Sequence, residues 1–171
     1  IESTSGAAGR SVEQLLANAS ALQEVTTFGD EATLAMQGVL LTFTQIRETQ
    51  FDRATRSIQD VATVMGTDLQ SAALQVGKAL NDPIRGLDGL NRAGIQFSDT
   101  QKQVIKDLAE TGRVAEAQRL VLDELETQFG GAAEAARNTF GGALQGLQNA
   151  FGDLLEFRGD LPALADGVES I

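Results

Sequence analysis

TDLQSAALQVGKALNDPIRGLDGLNRAGIQFSDTQKQVIKDLAETG, residues 67–112, carries three helices together with the signals that separate them. Thr67, followed three residues later by Gln70, fits a capping box in front of the apolar stripe Leu69, Ala72, Val76 and Leu80. Asn81-Asp82-Pro83 closes that helix, because the residue before a proline is pushed out of the α region. A short helix from Pro83 to Arg92 then ends at Gly94. Ser98 with Gln101 forms a second capping box, with Ile95 or Phe97 as its hydrophobic staple. It opens a helix that carries Val104, Ile105 and Leu108 and stops at Gly112.

The same grammar extends in both directions. Toward the N-terminus, Phe51, Ala54, Ile58, Val61 and Met65 recur at alternating spacings of three and four until Gly66 stops them. Before that seam, Asp30 is placed to cap a helix running to about Thr42, with Leu34, Leu40, Leu41 and Phe43 as its apolar surface. Residues 11–25 offer the stripe Leu15, Leu16, Ala19, Leu22 and Val25, which fades at Gly29. Toward the C-terminus, Val114, Ala117, Val121, Leu122, Leu125 and Phe129 form one face of a helix, and Gly130-Gly131 breaks it. A last helix is expected over 132–157, with Ala133, Phe140, Leu144, Leu147, Phe151 and Leu154 at heptad spacing. No stretch alternates with period two over a useful length, so no strand is expected. The fold class is therefore all-α, a multi-helix bundle or stacked helical hairpins over residues 11–157. Residues 1–10 are expected to be a flexible leader and 158–171 a loose end, with a possible subdivision near 66–67 or 112–113.

Composition limits the chemistry available to such a fold. The 171 residues contain no Cys, His, Trp or Tyr. Disulfides, thiolate nucleophiles, cysteine metal sites and the commonest general base are thereby excluded. Thirteen basic against twenty-four acidic residues leave a formal charge of −11, a field that repels a phosphate backbone, so no direct nucleic-acid binding is expected. The longest uncharged runs, 32–46 and 138–152, are too short and too polar to cross a bilayer. Ile1 stands first and no basic, then apolar, leader follows it, so the chain reads as a fragment or processed product without a signal peptide.

Local motifs add little catalysis. Gly77-Lys78 fails as a phosphate loop, since Ala72 occupies the place of its first glycine and Ala79 that of its Ser or Thr. Arg47, Arg53 and Arg56 lie near Glu48 and Asp52, as a solvated, paired helix face does. Carboxylates are plentiful, but nothing places two of them in a cleft with opposed environments, and Asp88-Gly89 lacks the spacing of a calcium loop. No catalytic, cofactor-binding or metal-ligating residue is expected. The candidate surface is the seam Phe140, Leu144, Leu147, Phe151 and Leu154, which serves either packing within its own chain or an oligomer or partner face. Gly142 and Gly146 have the spacing of a close helix approach, a spacing that in soluble helices is usually incidental.

The order of several segments carries a family resemblance. QSAALQVGKALNDPIRGLDGLNRAGI, residues 70–95, continues through 97–101 (FSDTQ) and 120–125 (LVLDEL) to 128–133 (QFGGAA) and 139–144 (TFGGAL). With FGDEATLAMQGVLLTFTQI, residues 28–46, this arrangement resembles the N-proximal region of tape measure proteins of long-tailed bacteriophages and prophages, over residues 12–157. The resemblance implies a long, mostly helical protein in the lumen of the tail tube, whose length sets tail length and which leaves ahead of DNA. It also implies a role in templating tube assembly, synthesis in the host cytoplasm, and tail tube proteins, tail tip proteins, assembly chaperones and further copies of itself as partners. A helical adaptor or chaperone-binding module is the alternative expectation, and a carboxylate-dependent cell-wall hydrolase a remote one.

Overall fold

The structure is a computed structural model that describes residues 9–141 and 143–144. It is all-α, and no strand occurs among the described residues. The helices are α1 (Val12–Val25), α2 (Asp30–Leu40), α3 (Glu48–Met65), α4 (Leu69–Asn81), α5 (Pro83–Arg92), α6 (Asp99–Glu110) and α7 (Val114–Phe129). Residues 132–141 are helical as well.

The punctuation read from the sequence sets most of these bounds. Ser98 Oγ accepts from the Gln101 amide and Gln101 Oε1 from the Ser98 amide, completing the expected box at α6. Asp82 lies between two helices. Its amide closes α4 on the Lys78 carbonyl, while its carboxylate accepts from the Arg85 amide and Pro83 takes the first position of α5. Gly66 ends α3 with φ +63°, a left-handed conformation that glycine adopts without strain.

Two caps fall elsewhere than expected. The N-cap of α4 is Asp68, not Thr67, since the Thr67 amide is used to close α3 on the Ala62 carbonyl. Asp68 instead accepts from both the amide and the hydroxyl of Ser71. Those bonds hold its carboxyl below the ordinary range. Asp30 is likewise not a cap but the first residue of α2, behind Gly29. Its amide donates to Gln23 Oε1, and its carboxylate accepts from the Glu31 amide at 2.8 Å, which places the acid's charge at the helix N-terminus. Ser11 makes a capping box with Gln14 that the stripe of α1 does not announce.

The chain divides into two compact units, Ile1–Ala136 and Arg137–Ile171. Within the first unit, α4 packs on α2, α3 and α5, while α7 packs on α3 and α6. Packing of α3 on α4 and of α6 on α7 thus bridges 66–67 and 112–113. The expected seams supply the interior: Phe51, Ala54, Ile58 and Val61 of α3, Ala72, Val76 and Leu80 of α4, and Ala117, Val121, Leu122 and Leu125 of α7 are all buried. Leu16, Val25 and Val104, expected on apolar faces, are exposed instead. For α1 the reason is that it packs principally on one neighbour, α2, so only the Leu15, Ala19 and Leu22 edge of its stripe is covered.

Two glycines are set by close approach. A Cβ on Gly77 would lie 2.3 Å from the Phe43 ring, and one on Gly86 would lie 2.2 Å from the Ala79 backbone. The first seats an aromatic ring on α4, and the second lets α5 cross against it.

Candidate interaction surfaces

Of the expected partner face, Phe140 and Leu144 belong to the described residues. Phe140 is 66% exposed and Leu144 45%. Both are open to water, unlike the buried seams of α3 and α7. Leu147, Phe151 and Leu154, with Gly142 and Gly146, lie outside the described residues. Gly141 is described, and a Cβ there would meet nothing within 4 Å, so it is not a point of close helix approach.

A cleft of about 550 Å3 opens between α1, α3 and residues 131–134, lined by Asn18, Leu22, Val25, Gln59, Asp60 and Glu134 among others. Asp60 of α3 determines its character. One carboxylate oxygen accepts from the Ala133 amide at 2.9 Å and the other from the Gly131 amide at 3.2 Å. Asp60 therefore caps, from a distant part of the sequence, the helical segment that starts at residue 132. Burial pushes its carboxyl above the ordinary value, and the backbone donors pull it partway back. With its oxygens engaged by backbone amides, the group serves as a structural cap.

The arginine group resolves differently from the local pairing expected for it. Arg53 reaches across to α7, with Nη2 2.7 Å from Asp123 and Nε 2.9 Å from Glu126. The Glu126 hydrogen bond is the largest influence raising its already high pKa, with Asp123 adding to it. Asp52 pairs with Arg10. Partly exposed pairs of this kind add little stability, although the Arg53 pairs do join α3 to α7.

Two sets of buried polar groups carry no signal in the sequence. Gln118 Nε2 donates to the carbonyls of Leu80 and Gln45, both at 2.9 Å, fastening α7 to the end of α4 and to the segment that follows α2. Gln37 and Gln59 lie buried between α1, α2 and α3, where Gln37 donates to Asn18 and Gln59 to Thr33. No local pattern marks either set, since their partners stand 19 to 73 residues away.

No group of three or more carboxylates placed to hold a metal occurs among the described residues, and no described helix is long and apolar enough to cross a membrane. No protein-family model matches the chain, and no curated protein and no solved structure matches it.

Proposed function

We propose that this chain is a structural segment of a phage tail protein of the tape measure kind, acting as part of an assembly and not as a catalyst. The observation that carries this reading is the linked order of segments from Phe28 to Leu144, several of which share no local structural reason to occur together. Consistent with it are a helical bundle built from capped elements and an apolar pair, Phe140 and Leu144, open to a partner. In this reading the partners are tail tube and tail tip proteins, assembly chaperones and further copies of the chain, and the site of action is the tail lumen.

Electron microscopy of tails from phage carrying an in-frame deletion of residues 12–136 tests the proposal. At about 1.5 Å per residue, an extended helical ruler would lose about 190 Å. A compact unit of this size has a radius of gyration of about 14 Å, so a folded segment of the ruler would shorten the tail by only about 40 Å. The folded outcome is expected. Tails of unchanged length would favour the helical adaptor or chaperone-binding module. Lysis of purified cell wall by the isolated chain would overturn the structural reading in favour of a hydrolase.

A further inference from the structure

A second cavity, of about 430 Å3, lies at the junction of α4 and α5. Phe43 forms one wall, its ring seated on Gly77, and the contact of Gly86 with the Ala79 backbone closes the angle between the two helices. Lys78, Arg85 and Arg92 line the opening, with Asp82 the single carboxylate among the lining residues. That is a local excess of positive charge on a chain whose formal charge is −11. Asp82 is already engaged, capping α5 through the Arg85 amide and lying 3.9 Å from Arg85 Nε. Neither Lys78 nor Arg92 forms an ion pair among the described residues, and Arg92 only donates Nε to the Asp88 carbonyl of its own helix.

Arg85, Gly89 and Arg92 fall at helical spacings of four and three, so they share one face of α5. Between the two guanidinium stems stands Gly89, where a Cβ would meet nothing within 4 Å. The groove is therefore open along its floor, charged at its rim and apolar on the Phe43 side.

We propose that this groove docks an acidic peptide segment of a partner protein, its carboxylates on Lys78, Arg85 and Arg92 and one apolar side chain against Phe43. Charge complementarity selects the acid, and the aromatic wall selects a peptide over a bare anion. The net charge of −11 opposes any polyanion at long range, so the occupant is a short acidic segment held by the local cations and the aromatic wall, not an extended nucleic acid. The groove stands on its own geometry, whether or not the chain is part of a tail ruler.

The test titrates a fluorescently labelled peptide of Glu and Leu into the whole chain and follows anisotropy at low and at high salt. A Lys and Leu counterpart, a single-stranded oligonucleotide and inorganic phosphate serve as competing probes. Saturable, salt-sensitive binding of the acidic peptide alone is expected. It should weaken about tenfold or more in the combined Lys78→Glu, Arg85→Glu, Arg92→Glu variant, as three rim pairs become repulsions. Gly89→Leu, which fills the groove without touching a charge, should weaken it comparably while leaving the helical circular dichroism intact. That variant decides the matter if the triple reversal fails to fold. Absence of binding, equal binding of the Lys and Leu peptide, tighter binding of the oligonucleotide, full competition by phosphate alone, or unchanged affinity in a folded Gly89→Leu variant would each overturn the proposal.

Discussion

The interior where α3, α4 and α7 meet and the seam that holds α1 on α2 are both helix packings, but they are built from different materials. The first buries Phe51, Ile58, Val61, Val76, Leu80, Val121 and Leu122 almost entirely, and its buried amide, Gln118, donates to carbonyls of two other segments. The second covers only Leu15, Ala19 and Leu22 of α1 and runs into Asn18, Thr33, Gln37 and Gln59, where the Gln37 and Gln59 side-chain oxygens have no protein partner. Apolar burial stabilises without geometric conditions, whereas a buried amide with an unmet acceptor offsets much of what its donor contributes. The apolar interior therefore holds the unit together, and α1 is more readily released than α3, α4 or α7.

The largest expected effect comes from cutting into that interior. Leu80→Ala should lower stability by about 2–5 kcal/mol, and Leu15→Ala, on the covered edge of α1, should fall at or below the bottom of that range. Urea unfolding at an unchanged slope reads the difference, and equal losses would break the contrast. Gln118→Ala should cost about 1–3 kcal/mol, because it strands the carbonyls of Leu80 and Gln45. A loss near zero would mean that those carbonyls find other donors.

Asp60 sharpens the comparison through pH. Removal of the cap in Asp60→Ala should cost about 1 kcal/mol. Burial raises the folded carboxyl above its ordinary value of 3.8, so protonation favours the fold. This group's contribution is greatest below that ordinary value and declines as pH rises through the raised one. Asp60→Asn keeps one acceptor oxygen, enough for one of the Gly131 and Ala133 amides, without the charge. Its stability relative to the parent chain should therefore grow with pH across that window, and a relative loss there would show that the ionised form is the better cap. The smallest effect belongs to Gly141→Ala, where the new methyl meets open space and the helix gains up to about 1 kcal/mol. Gly77→Ala should do the opposite, since its methyl would collide with the Phe43 ring. Melting curves of the two variants should move in opposite directions.

Much of this fold is legible because its instructions are local. The Ser98 box, the Asp82-Pro83 junction, the Gly66 stop and the α3 and α7 stripes all act within a few residues, where spacing alone specifies geometry. The spacing points to Thr67 as the cap of α4, one residue early, because Thr67 and Asp68 are both capping residue types and only the closing bond of α3 decides between them. Leu16 and Val25 fall on the expected apolar face yet stay exposed, because a periodic stripe says which residues share a face but not how wide a neighbour covers it. Asp60, Gln118 and the Arg53 pairs are invisible in the sequence for a different reason, since each acts across 38 to 73 residues. Of the expected partner face, Phe140 and Leu144 are exposed. Its remaining members lie outside the described residues.

Native-state hydrogen exchange, followed residue by residue, tests the contrast most directly. The amides of α3, α4 and α7 should open only with global unfolding, while those of α1 should exchange through a local opening whose free energy is well below the global value. Protection in α1 equal to that in α4, varying with denaturant in the same way, would contradict the account and make the polar seam an equal part of the core.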